Sequence, residues 1–201
     1  MNNCYIVGAC KDSQKEFTYD ESDFIIGVDG GISFLKEKNY RIDLVLGDFD
    51  SLGYVPDYEN IIVLNKEKDD TDMHEALKEG MKRNYKSFVI FGCLEGRLDH
   101  SIATIQNAYR YAKEGIDIKI YAKNQILTFL LNSKLELEGE GYISIFAFEE
   151  AKGVTLESLK YELKNYTLTP FFPIGVSNEF INKKATIEVK DGCLVIIYQI
   201  N

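Results

Sequence analysis

Short apolar runs alternate with helix-periodic segments through the first part of the chain, and this alternation limits the possible folds more than any other feature of the sequence. The runs are rich in β-branched residues and short enough to be strands buried on both faces. They lie at 5–7, 24–28, 44–46, 61–64, 88–91 and 118–121. Strands that alternate with helices predict a mostly parallel α/β sheet. The intervening helical segments are a short one at 31–38 and two apolar stripes, Met73, Ala76, Leu77 and Met81, and Leu98, Ile102, Ile105, Tyr109 and Ala112.

The pattern changes after about residue 124, where the helical period stops. Short alternating runs follow at 126–131, 142–148, 159–163, 185–189 and 194–198, with glycine-containing turns between them. Asp191-Gly192 lies between the last two runs, and this dipeptide favours a β-hairpin. We therefore expect an N-terminal α/β domain at 1–124, followed by a small all-β sandwich domain at 125–201.

The chain carries a net charge of -9, from 32 acidic and 23 basic residues. Such an excess repels nucleic acid and anionic membrane surfaces, so neither is expected as a partner. No apolar stretch reaches the roughly 18 residues of a membrane span, and the N-terminus lacks the pattern of a secretory signal, which favours a soluble, cytoplasmic protein. The same charge is unfavourable for binding nucleotide phosphates unless some of the acids hold a divalent cation.

Acidic residues follow three of the predicted strands. Asp29 follows the second run, Asp48 and Asp50 follow the third, and three aspartates within 69–72 follow the fourth. Neither a P-loop nor a G-x-G-x-x-G motif is present, so phosphates would need another means of binding. Because ligands of open α/β sheets bind in the crevice at the carboxyl ends of the strands, we expect these acids to converge there.

Asp48 and Asp50 lie two residues apart, so in an extended chain both side chains point to one side and Phe49 points to the other. Two adjacent carboxylates repel each other, and Mg2+ binds to such oxygens together with substrate phosphates. A polar turn, in which the aspartates accept hydrogen bonds from backbone N–H groups, also explains the pair. The residues alone leave both interpretations open.

Helix capping is a competing explanation for two further acids. Asp72, with Glu75 three residues later, has the pattern of a capping box at the start of the helix that carries the first stripe. Asp99 is similarly placed to cap the helix that carries the second stripe. Arg97, just before that helix, is placed to pair with a phosphate, although an isolated arginine is more often an ordinary surface residue.

Four motifs, taken together in this order, resemble the catalytic domain of thiamine pyrophosphokinases. They are GVDGG at 27–31, GDFDS at 47–51, KDDTD at 68–72 and GRLDH at 96–100. GVSN at 175–178 is similar to the segment of the family's thiamine-binding domain that contacts the vitamin, so the resemblance covers nearly the whole chain. One departure is Glu95, because the family often has a Gly-Gly pair where this chain has Glu95-Gly96.

The resemblance implies ATP-dependent transfer of a diphosphate to the hydroxyl of thiamine, which yields thiamine diphosphate and AMP. It implies a requirement for Mg2+, with ATP as co-substrate. It also implies a homodimer in which each site lies between the α/β domain of one subunit and the β domain of the other. Two alternatives are a Mg2+-dependent phosphohydrolase or diphosphokinase acting on another heterocyclic alcohol, and a non-catalytic sensor of thiamine or a nucleotide.

The resemblance also implies roles for single residues of the α/β domain. It assigns Asp48, Asp50 and Asp72 to Mg2+, directly or through water. Lys68 and Arg97 would then bind phosphate oxygens.

Other residues of the same motifs would lie near the nucleotide or the reacting groups. Asp29, Gly30 and Gly31 would approach the nucleotide, because the missing side chains let backbone N–H groups come close to a phosphate. Asp69 and Asp99 are candidates for contacting the metal or orienting the attacking hydroxyl. Ser51 and His100 complete the expected nucleotide site.

In the β domain, the resemblance assigns Ser177 and Asn178 to the aminopyrimidine of thiamine. Phe171, Phe172 and Phe180 are near in sequence, and an aromatic face is suited to stacking on a cationic ligand. Aromatic residues dominate small β cores, so we expect most of these phenylalanines to be core residues.

Overall fold

A computed structural model describes residues 2–50, 52–67 and 69–200 of the chain. Ser51 and Lys68, two of the expected site residues, lie outside the described residues. The chain divides into two compact units, the first formed by residues 1–108 and 116–123 and the second by residues 109–115 and 124–201.

Among the residues that the structure describes, the first unit contains six parallel strands in the order β6-β5-β1-β2-β3-β4. The strands are β1 (Asn3–Val7), β2 (Phe24–Val28), β3 (Leu44–Gly47), β4 (Ile61–Val63), β5 (Ser87–Phe91) and β6 (Asp117–Tyr121). The central strands are buried on both faces, as their continuous apolar runs predict. The expected mostly parallel α/β sheet is therefore confirmed.

In the described part of the chain, three α-helices connect these strands, α1 (Gly31–Glu37), α2 (Asp72–Lys82) and α3 (Leu98–Lys113), and a 3-10 helix, Lys11–Ser13, follows β1. Helix α2 buries Ala76 and Leu77 of the predicted stripe. The stripe on α3 is only partly buried, since Leu98 is 74% exposed and Ile102 is 48% exposed. Thr104 and Ala108 are buried instead, so the buried face of the first turns of α3 is rotated away from the predicted one.

The strand order creates a switch point beside β1. The chain passes from β1 to β2, β3 and β4 on one side, and then returns to β5 and β6 on the other. The connections that follow β1 and β5 therefore lead to opposite sides of this point, and open α/β sheets bind ligands at such a point. The two turns are joined by hydrogen bonds from Gly8 N to Phe91 O at 2.8 Å and from Cys10 N to Gly92 O at 2.9 Å.

The second unit is built from antiparallel strands in two sheets. Its strands are β7 (Gln125–Leu131), β8 (Lys134–Glu138), β9 (Tyr142–Ala147), β10 (Ala151–Glu157), β11 (Leu163–Leu168), β12 (Asn178–Glu179), β13 (Lys184–Glu188) and β14 (Cys193–Gln199). One sheet has the order β12-β9-β14-β7 and the other has the order β11-β10-β13-β8. Buried residues of both sheets, such as Ile145 and Ile187, belong to one core cluster, which makes this unit a β-sandwich.

The hairpin expected at Asp191-Gly192 is wrong. This dipeptide joins β13 and β14, which belong to different sheets. Lys152 pairs with Asp191, and a Cβ at position 192 would lie 2.9 Å from Cα of Ala151. Gly192, with φ of 120°, therefore lets the chain cross between the sheets instead of turning back on itself.

The run at 159–163 is also not a continuous strand. Only Leu163 belongs to β11, and Leu159 is buried outside a named strand. Among the described residues, no helix has the length and apolar character needed to span a membrane.

Candidate active site

Three aspartates meet at the carboxyl ends of β2 and β3. Asp29 follows β2, Asp48 follows β3, and Asp72 is the first residue of α2. All three are partly buried, and one carboxylate oxygen from each lies within 4.8 Å of the others. Residues distant in sequence thus form a single acidic cluster, which we call the Asp29–Asp48–Asp72 cluster.

Asp29 is held in place by the turn that follows β3. Its backbone has a φ of 47°, in the left-handed region, and its Oδ1 accepts a hydrogen bond from Phe49 N at 3.2 Å. A Cβ at position 47 would lie only 1.9 Å from this oxygen. Gly47 is therefore required for Asp29 to approach the end of β3.

The expectation that Asp48 and Asp50 point to the same side of an extended chain is wrong. Phe49 has a φ of 56° and is only 2% exposed, so the chain turns at this residue in order to bury the ring. Asp50 N donates a hydrogen bond to Asp48 Oδ1 at 3.1 Å, which is the polar turn considered above. Asp48 also joins the cluster, whereas Asp50 is exposed and is not part of it.

Capping of α2 is performed by Thr71 and not by Asp72, so that part of the sequence interpretation is wrong. Thr71 Oγ1 accepts a hydrogen bond from His74 N at 3.3 Å. Asp72 lies one residue further on, within the first turn, where the helix dipole favours a negative charge. Its carboxylate is therefore available to the cluster.

Burial and mutual repulsion govern the charge of the cluster. The pKa of Asp29 is raised to about 7, first because the carboxyl group is buried and then because Asp72 and Asp48 are close. A hydrogen bond with Asp72 adds to this effect, while the Phe49 N–H opposes it. A cation bound by these oxygens would remove the repulsion.

A cavity of about 340 Å³ adjoins the cluster in the first unit. It is lined by the turns after β1 and β5, by the start of α2 and by one side of α3. Asp29, Asp72, Arg97 and His100 contribute polar groups to its wall. The backbones after β1 and β5 come close together here, since a Cβ at Gly8 would lie 2.5 Å from Gly92 O.

Arg97 and Asp99 form an exposed ion pair at the edge of the cavity. Arg97 Nη2 lies 2.6 Å from Asp99 Oδ2. Asp99 is not the residue that precedes the helix, as expected for a cap, because α3 begins at Leu98. Asp99 Oδ1 instead accepts hydrogen bonds from Arg97 Nε and from His100 N, so this carboxylate orients the guanidinium group.

Glu95 occupies a position whose backbone suits glycine. Its φ is 66°, in the left-handed region. The Glu95 side chain accepts a hydrogen bond from Lys123 N at 3.0 Å. Glu95 therefore adopts the left-handed turn conformation, and its side chain connects this turn to the segment that follows β6.

The two glycines after Asp29 have a packing function in the structure. A Cβ at Gly31 would lie 2.0 Å from Val7 O, so glycine allows the start of α1 to approach β1. Gly30 lies closest to Ala9, and neither glycine lines the cavity. Asp69 is exposed in the loop before α2.

A second cavity, of about 480 Å³, lies in the β-sandwich unit and is bordered by Ser177 and Asn178. Asn178 is buried, and its side chain bonds the backbone of Tyr161 through Nδ2 at 2.7 Å and Oδ1 at 2.9 Å. Ser177 is exposed, with a φ of 56°. Asn178 thus shapes this cavity, and Ser177 lies at its surface.

The prediction that most of the nearby phenylalanines are core residues is wrong for two of the three. Phe171 is 93% exposed and Phe172 is 64% exposed. Only Phe180 packs against the core of the sandwich. The segment before β12 therefore presents a large apolar surface.

The sequence alone does not group Asp29 with Asp48 and Asp72. Asp29 is expected near the nucleotide because two glycines follow it. Position along the chain does not reveal how close Asp29 comes to Asp48. Two sequence features indicate this contact: Asp29 follows one predicted strand, and Gly47 lies at the end of the next predicted strand.

Comparison with known proteins identifies the family of the chain. Residues 16–120 match the family described as "Thiamin pyrophosphokinase, catalytic domain", and residues 130–194 match "Thiamin pyrophosphokinase, vitamin B1 binding domain". The chain is 30% identical over 191 residues to the thiamine pyrophosphokinase of Bacillus subtilis (strain 168), a match that covers 89% of this chain and 88% of the relative.

Solved structures show the same fold. A crystal structure of thiamine pyrophosphokinase from Bacillus subtilis matches with a TM-score of 0.86 and 27% identity over 100% of both chains. The thiamin pyrophosphokinase from Geobacillus thermodenitrificans matches with a TM-score of 0.84 and 27% identity over 99% of this chain and 98% of that one. With both family domains matched in order along its length, this chain belongs to the thiamin pyrophosphokinase family of diphosphotransferases.

Proposed function

We propose that this protein transfers a diphosphate from ATP to the hydroxyl of thiamine and releases thiamine diphosphate and AMP. The observation that carries the proposal is the Asp29–Asp48–Asp72 cluster beside a cavity that also contains Arg97. This combination suits the binding of a polyphosphate together with a divalent cation, and it lies within the match to the family's catalytic domain.

The cluster has suitable chemistry for Mg2+. Octahedral Mg2+ bound at about 2.1 Å places neighbouring oxygen ligands about 3 Å apart, and carboxylates are ligands that it prefers. The oxygens of the cluster lie within 4.8 Å of one another, so small side-chain movements would bring them to this spacing. Asp29, Asp48 and Asp72 would hold the ion, and Asp50 would join it directly or through water once the substrate phosphates are present.

The bound cation would neutralise charge that develops on the phosphate oxygens. Other residues of the chain would position ATP and thiamine, because phosphoryl transfer depends mainly on alignment and charge stabilisation. Arg97, oriented by Asp99, would donate hydrogen bonds to a phosphate of ATP. Lys68 and His100 would add contacts to the nucleotide, and Asp69 is a candidate for orienting the thiamine hydroxyl.

Thiamine would bind through the β-sandwich unit. Ser177 borders the cavity of this unit, and Asn178 holds the backbone of Tyr161 beside it. The exposed rings of Phe171 and Phe172 are suited to covering an aromatic cation.

A homodimer with shared sites is part of the proposal. Exposed apolar side chains are concentrated on the segment before β12, at Phe171, Phe172, Ile174 and Val176. Such a patch favours association with another protein surface. A cytoplasmic location also stays a prediction from the sequence.

The test is a turnover assay with ATP, Mg2+ and thiamine, in which the products are identified by mass spectrometry. AMP and thiamine diphosphate in equal amounts are expected. ADP or free phosphate as the product would indicate a different phosphotransferase or a phosphohydrolase. Thermal stabilisation by thiamine without any turnover would indicate a sensor.

The same assay should be repeated with a pterin alcohol in place of thiamine. Faster AMP formation from the pterin would contradict thiamine as the acceptor. Omission of Mg2+ with a chelator present should abolish turnover, whereas full activity under those conditions would contradict the metal requirement.

A further inference from the structure

A group of charged side chains joins the loop before α2 to that helix, next to the acidic cluster but outside it. Asp70 Oδ1 lies 2.8 Å from His74 Nδ1, and Asp70 Oδ2 accepts a hydrogen bond from Lys78 Nζ. Lys78 also bonds Glu75 Oε1 at 2.8 Å. We call Asp70, His74 and Lys78 the Asp70 clamp.

The clamp attaches the loop to successive turns of the helix. His74 lies one turn along α2 from Asp70, and Lys78 lies one turn further. His74 is only 6% exposed, so its ring is fixed by packing as well as by the hydrogen bond. Its backbone N–H bonds Thr71 Oγ1, which adds a third link between the helix and the two residues that precede Asp72.

The clamp also separates the charges of neighbouring acids. Asp70 is two residues from Asp72, yet its carboxylate binds groups on α2 and is not part of the Asp29–Asp48–Asp72 cluster. A carboxylate paired in this way does not compete for a cation in the cluster.

We propose that Asp70, His74 and Lys78 are positioning residues that hold residues 70–72 in the conformation that directs Asp72 to Asp29 and Asp48. The contacts themselves are observed in the structure and do not depend on the proposed function. The identity of the cation and of the reaction rests on that function. None of the three side chains needs to touch a substrate. Their effect is exerted through Asp72.

The experiment compares Asp70→Ala and Lys78→Ala with the wild type in three measurements on the full chain. Hydrogen exchange is measured at the amides of His74 and Glu75, which bond Thr71 Oγ1 and Thr71 O. Affinity for Mn2+ alone is measured by electron paramagnetic resonance. Steady-state kinetics give kcat and the separate KM values for ATP and thiamine.

Both variants should speed exchange at these amides and weaken Mn2+ binding by about fivefold or more, as expected for loss of a charge-assisted contact. The KM for ATP should rise and kcat should fall, while the KM for thiamine stays unchanged. Lys78→Arg retains the positive charge of the side chain and should keep Mn2+ affinity and kcat close to those of the wild type.

Lys82→Ala is the matched control, because Lys82 is one turn further along α2 and pairs with Glu79 at 2.5 Å, remote from the loop. It should match the wild type in all three measurements. Equal effects of Lys82→Ala and Lys78→Ala would show a general loss of helix stability and would overturn the proposal.

Unchanged exchange in both clamp variants would overturn the proposal, and so would faster exchange with unchanged Mn2+ affinity and kinetics. Absence of Mn2+ binding by the wild type would overturn the metal site and the role of the clamp together. Absence of thiamine-dependent AMP formation, with Mn2+ binding and clamp effects intact, would overturn the proposed function alone.

Discussion

Asp29 Oδ1 accepts a hydrogen bond from Phe49 N at 3.2 Å, and this bond joins the turn after β2 to the turn after β3. Both residues have a left-handed backbone, with φ values of 47° and 56°. Non-glycine residues adopt this region at a cost, so the surrounding structure must stabilise it. Burial of the Phe49 ring and the position of the Asp29 carboxylate are thus parts of the same local arrangement.

Asp29→Asn and Asp29→Ala should separate the charge of Asp29 from its hydrogen bond. The asparagine keeps an oxygen that can accept from Phe49 N, whereas alanine does not. Both variants should weaken Mn2+ binding by at least about tenfold, since a cluster ligand loses its charge. Thermal melting of the metal-free protein should show Asp29→Asn at least as stable as the wild type and Asp29→Ala less stable. Wild-type Mn2+ affinity in Asp29→Asn would contradict the proposal that Asp29 is a metal ligand.

Asp48→Asn and Asp50→Asn should differ in the absence of ATP. Asp48 belongs to the cluster and Asp50 is exposed outside it, so only Asp48→Asn should strongly reduce binding of Mn2+ to the protein alone. Both should reduce kcat by about a hundredfold if both groups act when ATP is bound. Calorimetric titration and steady-state assays test this, and near-normal turnover of Asp50→Asn at saturating Mg2+ would refute a metal role for Asp50.

Gly47→Ala should displace Asp29, because the new Cβ would lie 1.9 Å from Asp29 Oδ1. Loss of Mn2+ binding and a lower melting temperature are expected. Gly53→Ala is the control, since Gly53 has a φ of 71° and no atom of the residues that the structure describes lies within 4 Å of the added Cβ. It should cost only the backbone strain of about 1–2 kcal/mol and leave Mn2+ affinity intact. Similar Mn2+ affinities in the two variants would contradict the steric explanation.

Mixed dimers test whether sites are shared between subunits. Asp72→Asn and Ser177→Tyr should each be nearly inactive, the first through the metal and the second by filling the thiamine cavity. After subunit exchange in a 1:1 mixture, activity should recover to about one quarter of wild type, because each hybrid of a two-fold dimer would have one intact site. No recovery, with exchange proved by mass spectrometry of tagged chains, would place each site within one chain.

Alkaline pH should destabilise the β-sandwich unit through Cys193. Burial of this thiol, which is 3% exposed, raises its pKa from 9.0 to about 11. The unfolded thiol therefore ionises before the folded one, so stability is complete below pH 9 and falls as the pH rises towards 11. The loss from this group should approach about 2–3 kcal/mol. Urea unfolding at pH 7 and pH 10.5 measures the loss of unfolding free energy, which should be smaller in Cys193→Ala than in the wild type. An equal loss in the two proteins would contradict the role of the Cys193 thiol.

The class of the fold and the motifs of the site follow from the order of the residues alone. Buried parallel strands need continuous apolar runs, and these are visible without any coordinates, as at β2 and β5. The order of the four acidic and glycine-containing motifs was sufficient to identify the resemblance, and the family matches confirm it. Both features are local in the chain, and local patterns can be read directly from residues.

Which residues meet depends on the tertiary structure. Asp29 joins Asp48 because β2 and β3 are neighbours, and Phe49 adopts a left-handed backbone in order to bury its ring. Thr71 caps α2 and Asp72 does not, although both residue types are good caps, because only one of the two can precede the helix. Asp191-Gly192 crosses between sheets because β13 and β14 find their partners elsewhere. Packing between distant segments sets the contact of the two aspartates and the crossing between sheets, and no pattern within one segment contains that information.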